Sequence, residues 1–169
     1  MQKERVPAVE ASDDEDEADL PAFDDEDDDF LENKLNEDLE QFESHLKGNL
    51  IGFLDSDRLE AVIDHYLVNS QYSKALSAAE LGVYHFQYNS IFHLRKAQAM
   101  AGMGLLKDAI ELLNIIEKAN DSNTEIFLTK AALFSQLRDP KNAIKYYRLA
   151  MEICDPEDRD EIYMDIAIE

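Results

Sequence analysis

Three alanines set at one interval constrain this chain more than any other feature. Ala75, Ala109 and Ala143 stand 34 residues apart, in the like settings Tyr72-Ser-Lys-Ala-Leu, Leu106-Lys-Asp-Ala-Ile and Pro140-Lys-Asn-Ala-Ile. Ala97 and Ala131 repeat the interval within Leu94-Arg-Lys-Ala-Gln-Ala-Met and Leu128-Thr-Lys-Ala-Ala-Leu-Phe. A period of this length means one supersecondary unit copied along the chain. Two antiparallel helices joined by a tight turn approach closely only where a small side chain sits at their crossing, so each alanine marks a crossing.

Large residues fill the layers beside the alanines. Leu59, Phe127 and Tyr163 come early in the first helices, Tyr66, Met100 and Phe134 later in them, and Leu113 and Tyr147 on the second helices. Turn signals recur between paired helices as Asn69-Ser-Gln-Tyr72, Gly102-Met-Gly-Leu-Leu106 and Arg138-Asp-Pro140. Pro140 then opens a helix, where its missing donor does no harm. The fold class expected is all-α, a right-handed α-solenoid of stacked helix pairs.

On these residues the chain resembles the tetratricopeptide-repeat (TPR) family, whose 34-residue helix-turn-helix unit keeps small residues at its eighth, twentieth and twenty-seventh positions. The repeats are 56–89, 90–123 and 124–157, with a fourth from about 160. Ile63, His93, Ile116 and Pro140 depart from the family pattern without disturbing the period. Ala167, two residues late relative to Ala131, implies a longer loop around Asp155-Pro-Glu-Asp158. Further TPR units are expected beyond Glu169, because a solenoid does not end on an uncovered apolar face.

Charge divides the chain differently. Residues 1–55 carry 20 Asp and Glu against 4 Lys and Arg, the remainder 18 against 12, within a net charge of −22. Residues 1–29 read as a disordered acidic tail, since self-repulsion and few apolar groups leave nothing to pack. Within residues 30–55, Phe30, Leu31, Leu35, Leu39, Phe42 and Leu46 recur at helical spacing. They predict an amphipathic helix to about Lys47 that caps the first repeat, with Gly48 and Asn49 as its stop. Asp55, Ser56 and Asp57 then supply the start of the next helix.

Such acidity argues against nucleic acid and against anionic membrane surfaces as partners. No run of 18 apolar residues and no apolar leader follow Met1, so the cytoplasm is the default compartment. Cys154 is the single cysteine and cannot form an internal disulfide. His45, His65, His85 and His93 show no metal spacing, and neither a phosphate-binding glycine loop nor a nucleophile motif appears. No enzyme activity, catalytic residue, metal or cofactor is expected.

What the resemblance implies is a scaffold that binds a peptide or partner protein on the concave face formed by the first helices. Its lining there would include Glu60, Asp64, Leu67, Ile91, Leu94, Gln98, Glu125, Leu128, Ala132 and Gln136. One subclass of the family grips the terminal carboxylate of chaperones with Lys, Arg and Asn, as an anion requires. Glu60, Asp64 and Glu125 put carboxylates there instead, so a basic or apolar peptide is the expected ligand. Lys96 and Lys130 share a unit position that the family gives to apolar residues; each is expected to lay its stem along a neighbouring helix and reach water or a carboxylate. The alternative is a docking or autoregulated domain of a larger protein, with the catalytic or effector part beyond Glu169.

Overall fold

The computed structural model describes residues 25–49, 52, 54–119 and 123–169. Residues 1–24 of the acidic tail, including Leu20 to Phe23, lie outside the described residues, as do Leu50, Ile51, Phe53 and residues 120–122. Among the described residues every regular element is a helix: α1 Asp25–Leu46, α2 Ser56–Val68, α3 Tyr72–His85, α4 Ser90–Gly102, α5 Leu106–Glu117, α6 Thr124–Gln136, α7 Pro140–Ile153 and α8 Arg159–Ile168. A short 3-10 turn, Pro156–Asp158, leads into α8. No helix among them is long and apolar enough to cross a membrane.

The 34-residue interval reaches deeper into the backbone than the alanines. The first helices are capped at Asp55, Asn89 and Asn123, each side chain accepting from a backbone N–H of the first turn at 3.0 to 3.3 Å. The turns after them place Ser70, Gly104 and Arg138 at φ 56, 80 and 59°. Around each, the chain closes a Schellman motif. Gln71, Leu105 and Asp139 donate to Tyr66, Met100 and Phe134, while Ser70, Gly104 and Arg138 donate to Leu67, Ala101 and Ser135, all at 2.8 to 3.0 Å. Thus the turn that joins the two helices of each unit is copied hydrogen bond by hydrogen bond.

Short turns lay each helix against the next along the chain from α1 to α8, and α2, α4 and α6 also touch one another in order. All five periodic alanines are fully buried. Three apolar clusters follow each other, and each draws on the helix after its own pair. Phe92 and Ala99 of α4 complete the first, Ile126 and Leu133 of α6 the second, and Ile162 of α8 the third. Ile166 packs on that third cluster, whereas Tyr163, expected in the layer of Leu59 and Phe127, is exposed.

The two lysines found at a shared position settle alike. Lys96 Nζ donates to Glu80 at 2.9 Å, and Lys130 Nζ to Asn114, 34 residues after Glu80, at 2.6 Å. Lys130 is wholly buried; it also pairs with Glu117 and stands 4.3 Å from the centre of the Tyr146 ring. Its charge is therefore met by a carboxylate, an amide and a π face, the conditions under which a buried cation is tolerated.

The first helix starts earlier than the sequence predicts. Residues 25–29, assigned to the disordered tail, form the opening turns of α1. The helix stops at Leu46, and Gly48, at φ 90°, closes a Schellman motif with Asn49. The helix docks on α2 through Phe42, fully buried against Tyr66, and through Asp38, which is 2 % exposed and accepts from Arg58 through both carboxylate oxygens.

Candidate partner-binding face

The contact of α2, α4 and α6 brings together side chains more than 60 residues apart. Arg95, near the middle of α4, reaches both neighbours. Its guanidinium donates to Glu60 at 3.1 Å and Asp64 at 3.4 Å on α2, to Gln98 at 3.2 Å, and to Glu125 on α6. Gln98 bridges onward to Glu125 at 3.0 Å and Thr129 at 3.3 Å. The Arg95 Nε atom sits 2.7 Å from Asp64 Oδ1, but its N–H does not point along that contact, so this buried nitrogen makes an ion pair without a hydrogen bond.

One cation thus faces three carboxylates, and the protonation equilibria register it. Burial pulls the Arg95 pKa down, yet Glu125, Asp64 and Glu60 together outweigh burial and hold it above its ordinary value. Asp64 is pushed up, first by loss of water and then by the Glu125 charge, even though Arg95 opposes both. The attraction of one guanidinium does not offset the loss of water at Asp64 together with the nearby Glu125 charge.

Two clefts open beside this network. The first, of about 410 Å³, has Leu128, Ala132, Tyr147 and Ile162 as apolar lining, with Glu125, Asp158, Glu161 and Asp165 around it. The second, of about 450 Å³, is bounded by Leu67, Val68, Tyr72, Ala101, Gly102, Leu133 and Gln136. Gln98, Thr129 and Ala132 belong to both, so the two clefts adjoin at these residues and together make one trough. Gly102 matters to its shape: the Tyr72 ring lies where a Cβ would stand, 2.3 Å away. A larger void, of about 640 Å³, has the consecutive residues 85–90 as its lining among the described residues.

Of the residues named from the sequence, Leu67, Gln98, Glu125, Leu128, Ala132 and Gln136 line the trough. Glu60 and Asp64 are tied up by Arg95. Ile91 is half buried against the first and second clusters. Leu94 requires correction: it is 1 % exposed and packs in the second cluster beside Ala97 and Leu113, so it offers no surface to a ligand. A helix that packs on both neighbours has few open positions, and the one before Arg95 points inward.

Arg95 was missed by the sequence reading, as were Asp158, Glu161 and Asp165. A lone arginine among carboxylates at neighbouring unit positions was the available signal for the first; for the others there was none until α8 was seen to close one wall. Among the described residues no residue of α1 lines either cleft, and no group of three or more His, Cys, Asp or Glu is arranged to hold a metal ion. Cys154 is buried with its thiol 3.7 Å from the Met151 carbonyl. No model of a known protein family matches the chain, and a comparison with curated proteins found no match.

Proposed function

We propose that the chain is a TPR-type α-solenoid whose role is to hold another polypeptide, an interaction scaffold rather than an enzyme. Supporting the architecture is the repetition at 34 residues of caps, left-handed turn residues, alanines and interhelix lysine bonds. Supporting the function is one observation: a trough made of two adjoining clefts along α6, with apolar stretches on either side of Gln98 and Thr129 and carboxylates at its α8 end. Apolar concavity with a few placed polar groups is the usual form of a binding site. The acidity of the chain turns away nucleic acid and favours a basic or apolar polypeptide. The exposed Tyr163, Met164 and Ile168 of α8 offer a further helical unit a place to stack.

The test is site-directed photocrosslinking of the whole chain in cell extract, with a photoreactive residue in place of Ala132 or, as control, Lys145; both positions are exposed. A discrete adduct at 132 and not at 145 is the expected result. Equal labelling at both positions, or none at either, refutes the trough as the binding face.

A further inference from the structure

We infer that the trough is a two-ended docking site, taking a peptide with an apolar residue at one end and a basic residue at the other, the basic one against α8. This rests on the binding role proposed above and adds the chemistry and spacing of the ligand. The asymmetry lies in the lining. The cleft at α8 brings together Glu125, Asp158, Glu161 and Asp165, with no cation among the described residues of its lining, around an apolar floor. The cleft at the turn between α2 and α3 has no charged side chain among the described residues of its lining.

Each end excludes what the other accepts. An acidic residue at the α8 end meets Asp158, Glu161 and Asp165, beside a Glu125 that Arg95 already pairs, and desolvating it among these like charges is unfavourable. A cation at the opposite end would lose water against Leu67, Val68 and Leu133 with no carboxylate among the described lining residues. The acidic residues of this same chain are for that reason poor occupants of the α8 end, which argues for a separate, basic partner.

Spacing follows from α6, which runs along both clefts from Leu128 through Ala132 to Gln136. The eight steps of helix from Leu128 to Gln136 rise about 12 Å. An extended peptide covers that distance in about four residues. The ligand motif is therefore an apolar residue and a Lys or Arg about four positions apart, crossing Ala132 between them.

Fluorescence anisotropy on the full chain tests this with labelled ten-residue peptides of Gly and Ser. One carries Leu and, four positions on, Lys-Arg; one lacks the Leu; one has Glu-Glu for Lys-Arg. The complete motif should bind about 10-fold more tightly than the peptide without Leu and more tightly still than the acidic one. In the double variant Glu161→Lys, Asp165→Lys the advantage of the basic end should vanish, while the advantage of Leu persists. Ala132→Trp should abolish binding of the complete motif.

If the Leu peptides bind with no regard to charge, the two-ended assignment falls and the trough remains a binding face. If basic peptides bind regardless of Leu and survive Ala132→Trp, they are responding to the net charge of −22 and the inference is overturned. If no peptide binds, it is overturned as well, and crosslinking at position 132 alone decides whether the trough binds anything.

Discussion

Ser70 and Arg138 occupy a backbone region that favours glycine, at φ 56 and 59°, and only Gly104 supplies one. A side chain in that region costs roughly 1–2 kcal/mol, partly offset by the greater freedom that glycine has in the unfolded chain. Ser70→Gly and Arg138→Gly should each stabilise the protein by about 1 kcal/mol, and Gly104→Ala should cost a similar amount. Urea midpoints at unchanged slope would show it. These three positions were illegible as a series, because Ser, Gly and Arg share no chemistry and only their backbone angle repeats. The caps Asp55, Asn89 and Asn123 were legible in principle at the same interval, since all three side chains accept hydrogen bonds. At Arg95 the residue scale also speaks to binding: Arg95→Ala leaves three half-exposed carboxylates facing one another and should cost about 1–2 kcal/mol. A loss below 0.3 kcal/mol, about what an ordinary surface substitution gives, would deny Arg95 its part in joining the three helices.

Among the elements, α1 and α2 respond to acid in opposite directions. The Lys74 ammonium holds the Glu43 carboxyl on α1 below its ordinary 4.5, so this pair stabilises the docked helix above that pH and is lost as pH falls through the lowered value. Asp64 on α2 is raised above 3.8, chiefly by burial, so its contribution is greatest at low pH and is lost as pH rises through the raised value. Titrating urea midpoints from pH 7 to 3 should show Glu43→Gln losing less stability than wild type on acidification, and Asp64→Asn losing more. Both effects are small, because the groups are half exposed. The presence of α1 was readable from the spacing of Leu35, Leu39 and Phe42, while its start at Asp25 was not, since a run of acids reads as unpacked until it is placed at a helix N-terminus. Leu94 was misplaced for a related reason: a family's lining positions say which helix face is shared but not how far two particular helices close over it.

For the whole molecule, the interval between alanines carried most of the architecture, because small residues at helix crossings are a packing requirement visible in one dimension. The trough was only partly visible, because its acidic end is completed by α8 across a loop of altered length, and the network around Arg95 needs three helices in contact. Lys130 binds three of them: its amine on α6 meets Asn114 and Glu117 of α5 and the Tyr146 ring of α7. Lys130→Ala should cost about 3 kcal/mol through the cavity and the stranded Glu117, and Lys130→Met less, as calorimetry would show. That amine also makes the protein its own gauge. An acylating reagent cannot reach a wholly enclosed nitrogen, so the rate at which Lys130 is labelled, read by peptide mass against the fast labelling of the open Lys145, times how often the joint between α5, α6 and α7 comes apart.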